Sequence, residues 1–267
     1  MTEFVTSEDG TRLAYDRLGK GPPLVIVNGA LSVRTFVFAR KMAEELAKSF
    51  TVYNYDRRGR GDSADTAPFS VTKEVEDVAA ICQAAGGKPY VVAFSSGAAL
   101  ALEAAAAQVP MAGLYAYEPP YINADPATKA DPAQRTATYQ ATMDDLIAKD
   151  DRDGAVSYFM RFVGVPGFGV FVMRRLPMWK VMKGAAHTLP YDARIMNGFD
   201  VPTARFAKIK VPTIVGAGEK TTPALKAGAR AAGDAIPKAR HDLVANSNHG
   251  IKPKAMAAVL AREFGRA

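Results

Sequence analysis

The segment VVAFSSGAALAL (91–102) places a serine where an apolar run passes into a stretch of small residues. A serine on a sharp turn between a buried strand and a helix forms a nucleophile elbow, whose strained backbone requires small residues two positions before and after it. Around Ser95 those positions hold Ala93 and Gly97, whereas Ser96 would have Phe94 two residues before it. The spacing therefore predicts Ser95 as a nucleophile. A serine that only caps the following helix is the alternative interpretation.

Three histidines are available as a general base: His187, His241 and His249. A neutral imidazole can accept the serine proton and later return it to a leaving group. His249 lies in the polar segment NSNHG (246–250), whereas His241 belongs to an alternating segment that predicts a strand. His187 lies in a helical region, where it would line a pocket or be exposed.

Apolar runs alternate with helical segments along most of the chain. The predicted strands are PPLVIVNG (22–29), TVYNYD (51–56), PYVVAF (89–94), GLYAYEPP (113–120), VPTIVGAG (211–218) and ARHDLVAN (239–246). This alternation predicts an α/β fold with a mostly parallel sheet and helices on both faces. A hairpin that turns at Asp9-Gly10 precedes these strands.

The alternation stops between residues 122 and 202, where the sequence is helical and rich in Phe and Met. We expect this stretch to form a helical cap over the strand ends, and residues 1–121 and 203–267 to form the core. An apolar cap of this composition favours an apolar pocket. Its large apolar residues are Phe159, Met160, Phe162, Phe168, Phe171, Met173, Met178, Trp179 and Met182.

Six blocks, taken in chain order, resemble the α/β-hydrolase fold family. They are VIVNGAL (25–31), YDRRGRGDS (55–63), AFSSGA (93–98), LYAYEPP (114–120), VPTIVGAGE (211–219) and NSNHG (246–250). The resemblance covers the core and leaves the insertion unmatched. It is strongest to small, lidded bacterial members that act as serine esterases or lactonases.

The resemblance implies a site at the carboxyl ends of the strands. Ser95 would be the nucleophile and His249 the base. The backbone N–H groups of Ser96 and Ala30 would form the oxyanion hole. Asn28 stands where many members carry a histidine, and its amide would either fix the loop or face the substrate. We also expect Phe94 and Trp179 to contact substrate.

The acid of the triad follows a less common pattern. Many family members carry an aspartate three residues after the last glycine of VPTIVGAG, but Thr221 occupies that position here. A subset places a glutamate after the strand that follows the elbow helix, and Glu118 matches it. The carboxylates that stay open as alternatives are Glu219, Asp192, Asp200 and Asp242.

Composition restricts the other possibilities. The single cysteine, Cys82, lies in an apolar helical stretch, which excludes an intrachain disulfide and favours a buried structural thiol. The net charge of +7 is scattered, with no nucleic-acid-binding module. DRRGR (56–60) lacks phosphate-loop spacing, so we expect it to tie neighbouring loops together. We expect no metal, no cofactor and no membrane partner, and a cytoplasmic location because no secretory signal is visible.

The leading hypothesis is a hydrolase that cleaves a carboxylic ester or lactone of a largely apolar small molecule through Ser95, His249 and Glu118. The same triad could instead serve carbon–carbon bond hydrolysis or a haloperoxidase-like activity. A third hypothesis is a protein of this fold that binds a small apolar ligand without turnover. Neither the substrate nor the oligomeric state can be derived from the sequence.

Overall fold

The computed structural model describes residues 2–127 and 131–265. It contains one eight-stranded sheet with the strand order β1-β2-β4-β3-β5-β6-β7-β8. The strands are β1 Thr2–Thr6, β2 Arg12–Leu18, β3 Pro23–Val27, β4 Thr51–Tyr55, β5 Tyr90–Phe94, β6 Gly113–Tyr117, β7 Thr213–Gly218 and β8 Arg240–Val244. β2 runs antiparallel to both β1 and β4, and the other neighbours pair in parallel. The prediction of a mostly parallel sheet is confirmed.

Helices cover both faces of the sheet. The helices of the core are α1 Val37–Leu46, α2 Val71–Ala84, α3 Ser96–Ala106, α10 Pro223–Asp234 and α11 Pro253–Phe264. Alternate strand residues serve the two faces, as the pleat requires. Leu24 and Ile26 of β3 pack with residues of α1 and α11, whereas Val25 and Val27 pack with residues of α2 and α3.

Between β6 and β7, the described residues form helices and no strand. These helices are α4 Pro132–Ala148, α5 Arg152–Phe162, α6 Gly167–Met173, α7 Pro177–Ala185, α8 Leu189–Ile195 and α9 Thr203–Phe206, with short 3₁₀ turns at 122–124, 186–188 and 197–199. We call this segment the helical insertion. The division into a core and a cap stays a prediction, and its ranges include residues 1, 128–130, 266 and 267, which lie outside the described residues.

Helix α3 lies between the sheet and the helical insertion. It contacts β5 and β6 on one side and α8 and α9 on the other. A helix covered on both sides must be apolar around its whole circumference, which explains its alanine-rich sequence. Its one acidic residue, Glu103, accepts two hydrogen bonds from the guanidinium of Arg205 on α9. Among the described residues, no helix is both long and apolar enough to span a bilayer.

Candidate active site

Ser95 lies on a strained turn between β5 and α3. Its φ of 54° and ψ of −127° belong to a region that residues with a side chain rarely occupy. The turn is possible because its neighbours are small: a Cβ on Gly97 would overlap the carbonyl oxygens of Val27 and Asn28 at the end of β3. The Ser95 N–H donates to the carbonyl of Tyr117 at 2.9 Å, which ties the turn to β6.

The register of the sheet brings Ser95 and Glu118 to neighbouring strand ends. Phe94 pairs with Tyr117, so the next residue of each strand leaves the sheet at the same edge. Glu118 is fully buried and has a φ of 50°. Its Oε2 lies 2.6 Å from Nδ1 of His249, which follows β8. The structure therefore brings the predicted acid and base into direct contact.

The carboxylate of Glu118 has two further donors. Oε1 accepts from the Gly218 N–H at 2.7 Å, and Oε2 accepts from the Thr221 hydroxyl at 3.1 Å. Thr221 occupies the position where many family members carry the acid, and here it supports a carboxylate that comes from the neighbouring strand. These donors stabilise the charged form of a buried carboxylate and fix its orientation toward the histidine.

Tyr117 connects the three segments that carry Ser95, Glu118 and His249. Its carbonyl accepts from Ser95, the next residue is Glu118, and its hydroxyl donates to the carbonyl of Asn248 at 2.7 Å. Burial, and secondly the charge of Glu118, raise the pKa of the Tyr117 hydroxyl, so it stays a donor at neutral pH. One side chain thus positions the loop that holds His249.

His249 is the accessible member of this group, with 47% of its side chain exposed. Among the hydrogen bonds of residues 2–127 and 131–265, none joins His249 to Ser95. The ring nitrogen opposite Nδ1 is free to serve as a base because Glu118 occupies Nδ1.

Two backbone N–H groups next to Ser95 have no acceptor in the described part of the chain: those of Ala30 and Ser96. A Cβ on Gly29 would lie 3.0 Å from the Cβ of Ser95, so the loop after β3 passes directly beside the nucleophile. Unpaired N–H groups beside a serine are what an oxyanion hole requires.

Hydrogen bonds from buried polar side chains fix the loop after β3. The amide of Asn28 donates to the side chain of Asn54 at 2.9 Å, which corresponds to the loop-fixing alternative for this residue. Arg60 donates to the carbonyl of Gly29 at 2.8 Å. Whether Asn28 also reaches a substrate stays a prediction.

The alternative carboxylates have other partners. Asp192 accepts hydrogen bonds from Arg57 and Arg60. Asp242 accepts hydrogen bonds from Tyr115 and Arg262. Glu219 accepts one from the backbone N–H of Asn246. Asp200 is exposed. In the described part of the chain, none of these four carboxylates forms a hydrogen bond or an ion pair with His249.

Phe94 and Trp179 are both buried. Phe94 packs edge-on against Tyr117, on the face of the sheet that carries α1 and α11. The indole N–H of Trp179 donates to Asp153 at 2.7 Å, and both residues belong to the helical insertion. Their predicted contact with substrate stays a prediction.

The other histidines and the cysteine lie apart from this group. His241 on β8 lies 2.9 Å from a carboxylate oxygen of Asp234, and His187 lies 3.5 Å from Asp65. Cys82 is buried, and this burial raises the pKa of its thiol to about 12.

The DRRGR segment is the feature whose detail the sequence did not reveal. Its three arginines are all buried. Arg57 forms ion pairs with Glu74 and Asp192. Arg58 pairs with Asp77, and Arg60 pairs with Asp192. The expected tie between loops is present, and it reaches α8 of the helical insertion. A run of arginines flanked by glycine and ending in aspartate and serine signals such a cluster, but it does not identify the partners.

Fold and site geometry define a member of a large class of hydrolases. Residues 24–259 match the alpha/beta hydrolase family, and the chain belongs to this family.

Several solved structures of hydrolases are similar to this chain over almost its whole length. An alpha/beta hydrolase from Sphaerobacter thermophilus is 45% identical, with a TM-score of 0.86, over 98% of this chain and 100% of that one. A thermophilic esterase from Thermogutta terrifontis is 19% identical (TM-score 0.70; 100% and 98% covered). The enol-lactonase from Burkholderia xenovorans is 17% identical (TM-score 0.67; 99% and 100% covered).

Proposed function

We propose that the protein is a serine hydrolase that cleaves a carboxylic ester or lactone of a largely apolar small molecule. The observation that carries the proposal is the 2.6 Å contact between the buried Glu118 carboxylate and Nδ1 of His249, beside a serine on a strained elbow. An imidazole held in this way presents its other nitrogen as a base, and the carboxylate stabilises the imidazolium that forms.

In this mechanism the Ser95 hydroxyl attacks the substrate carbonyl and its proton passes to His249. The carbonyl oxygen becomes an oxyanion, which accepts hydrogen bonds from the N–H groups of Ala30 and Ser96. His249 then gives the proton to the leaving alkoxide, and an ester joins the acyl group to Ser95. Water, deprotonated by His249, attacks this ester; the bond to Ser95 breaks, His249 returns the proton to the serine oxygen, and the acid is released.

Two solved structures that share the fold support this chemistry by their descriptions, one as an esterase and one as an enol-lactonase. The large apolar residues of the helical insertion support an apolar substrate. Trp179 and Phe94 belong to the proposal as substrate contacts.

Labelling with a fluorophosphonate, followed by intact mass and peptide mapping, tests the nucleophile. We expect one adduct, on Ser95, in the wild type and in Ser49→Ala, which alters an exposed serine. Ser95→Ala is expected to retain the fold while losing both the adduct and hydrolysis of 4-nitrophenyl butyrate. Full hydrolysis by Ser95→Ala would reject the assignment.

A further inference from the structure

A cluster of buried charges lies beneath the loop that carries Ala30. Asp192, on helix α8 of the helical insertion, accepts from Arg57 Nη1 at 2.9 Å through Oδ1 and from Arg60 Nη2 at 2.8 Å through Oδ2. Asp192 and Arg57 have no exposed side-chain surface, and Arg60 has 1%. One carboxylate of the insertion thus holds two arginines of the core.

The same two arginines contact residues next to the proposed oxyanion hole. Arg60 Nη1 donates to the carbonyl of Gly29 at 2.8 Å. Arg57 Nη1 makes longer contacts with the carbonyl of Asn28, at 3.4 Å, and with the Ser96 hydroxyl, at 3.3 Å. These contacts are with the carbonyls of Asn28 and Gly29 and with the Ser96 hydroxyl, so we expect the arginines to act on the loops and not on the reacting atoms.

The Gly29 carbonyl has a special position because it shares a peptide unit with the Ala30 N–H. The peptide is planar, so a hydrogen bond that fixes the direction of the C=O also fixes the direction of the N–H on its other side. A charged donor on the carbonyl also polarises the unit and strengthens the N–H as a donor.

Asp192 keeps Arg60 in this place because it balances two buried like charges. Burial, and secondly the charge of Arg57, lower the pKa of Arg60, whereas for Asp192 the two arginines outweigh burial and lower the pKa of the carboxyl. Without the carboxylate, Glu74, which pairs with Arg57, would be the negative charge left beside two guanidinium groups, in a medium that screens their repulsion weakly. Arg60 would then move away, and the Gly29 carbonyl would lose its charged donor while retaining the longer contact with the Ser32 N–H, at 3.4 Å.

We propose that Asp192 is a positioning residue of the oxyanion hole, which acts through Arg60 on the peptide between Gly29 and Ala30. The proposal rests on the proposed function. It gives the helical insertion a part in transition-state stabilisation that does not depend on contact with substrate, because helix α8 supplies the carboxylate.

The same DRRGR segment contains a matched control. Asp77 on α2 is fully buried and accepts two hydrogen bonds from Arg58, at 2.6 and 2.7 Å. The other partners of Arg58 are Asp9 and the carbonyl of Lys73, which lie away from the Gly29 loop. Asp77→Asn therefore weakens an equally buried ion pair of the segment without disturbing the oxyanion loop.

The experiment compares Asp192→Asn with Asp77→Asn in the full-length protein. For each variant, kcat and KM are measured with 4-nitrophenyl butyrate, and the inhibition constant with an alkyl trifluoromethyl ketone. Ser95 adds to that ketone to form an oxyanion, so its affinity reports on the oxyanion hole. Thermal unfolding is followed in parallel.

We expect Asp192→Asn to lower kcat roughly 10- to 100-fold, less than the 10²- to 10³-fold effect of deleting an oxyanion donor. Affinity for the ketone should fall in proportion, with KM within about twofold of wild type, because the loss is confined to the transition state. Asp77→Asn should lose thermal stability but keep kcat within about twofold.

Thr188→Val provides a milder variant that keeps every charge in place. The Thr188 hydroxyl accepts from Arg60 Nε at 3.0 Å and donates to the carbonyl of Ala185 at 2.8 Å, and valine removes both hydrogen bonds. We expect a roughly threefold lower kcat with a matching loss of ketone affinity. If Asp192→Asn does not fold, this variant decides the proposal.

Equal kcat values in Asp192→Asn and Asp77→Asn, or a loss confined to KM, would overturn the proposal and leave the proposed function intact. The same holds if Thr188→Val has wild-type kcat and ketone affinity. A wild type that neither hydrolyses esters nor reacts with a fluorophosphonate would overturn both.

Discussion

The strand-end loops of the core and the helical insertion position their functional groups by different means. In the core, backbone geometry does most of the positioning: Ser95 and Glu118 both have positive φ angles, and their strands are in register. In the insertion, side chains make the connection, since Asp192 and Tyr191 reach into the loop after β4. We therefore expect the core to tolerate little change in volume, and the insertion to respond mainly to changes in charge and hydrogen bonding.

The largest effect on catalysis beyond Ser95 itself is expected from Glu118→Gln. Glutamine keeps the size of the side chain but removes the charge that stabilises the imidazolium, so kcat should fall roughly 10²- to 10⁴-fold. Steady-state kinetics with 4-nitrophenyl butyrate checks this expectation. Glu219→Gln is the control, because Glu219 binds the backbone of Asn246. A large loss in Glu219→Gln with none in Glu118→Gln would show that the acid is misassigned.

The difference in tolerance between the two regions can be measured with one type of substitution. Gly97→Ala in α3 would place a Cβ onto the carbonyl oxygens of Val27 and Asn28, so it should destabilise the fold by about 3 kcal/mol. Gly184→Ala meets open space at the next-to-last residue of α7 and should stabilise by up to about 1 kcal/mol. Urea unfolding followed by circular dichroism gives both values. Equal signs for the two variants would contradict the comparison.

The smallest effect concerns the contact between the two regions at acid pH. The interaction with His187, whose Nε2 lies 3.5 Å from the carboxylate, and the hydrogen bond from Tyr191 lower the pKa of Asp65 below its ordinary value of 3.8 against the opposing effect of burial. Because the folded-state pKa is depressed, this stabilisation is complete above pH 3.8 and is lost as the pH falls through the lower, folded value.

Asp65→Asn tests this contribution. Since Asp65 is partly exposed, we expect it to cost less than about 1 kcal/mol at pH 6 and progressively less below pH 3.8. The unfolding free energies of the variant and the wild type, compared across this range, provide the measurement. A difference that grows as the pH falls would have the wrong sign.

The turn at Ser95 could be predicted because a local sequence rule specifies it, whereas the catalytic roles of the site residues stay predictions. The elbow at Ser95 was visible from Ala93 and Gly97, since only small neighbours permit that turn. Glu118 could be proposed only through the resemblance to family members that place a glutamate after the strand following the elbow helix, since Thr221 stands where the more usual acid is expected. The strands, and their mostly parallel direction in the sheet, could be predicted from the apolar runs and their alternation with helical segments.

The partners of the buried arginines could not be predicted in the same way. Arg60 and Asp192 are 132 residues apart, and no periodicity connects a loop after β4 with a helix of the insertion. The surroundings of Trp179 could not be predicted for a similar reason. Composition identified an apolar helical region, but it did not indicate that the Trp179 indole N–H donates to Asp153.

The contrast in exposure between Glu118 and His249 has a consequence for chemical modification. Solvent reaches this pair only from the histidine side, because the carboxylate is fully buried beneath Gly218 and Thr221. Acylating reagents specific for imidazole therefore have a direct approach to His249, whereas carbodiimides, which must reach a carboxyl oxygen, are shielded from Glu118. Under the proposed function, we expect the first kind of reagent to inactivate the folded protein and Glu118 to resist the second, both because the carboxylate is buried.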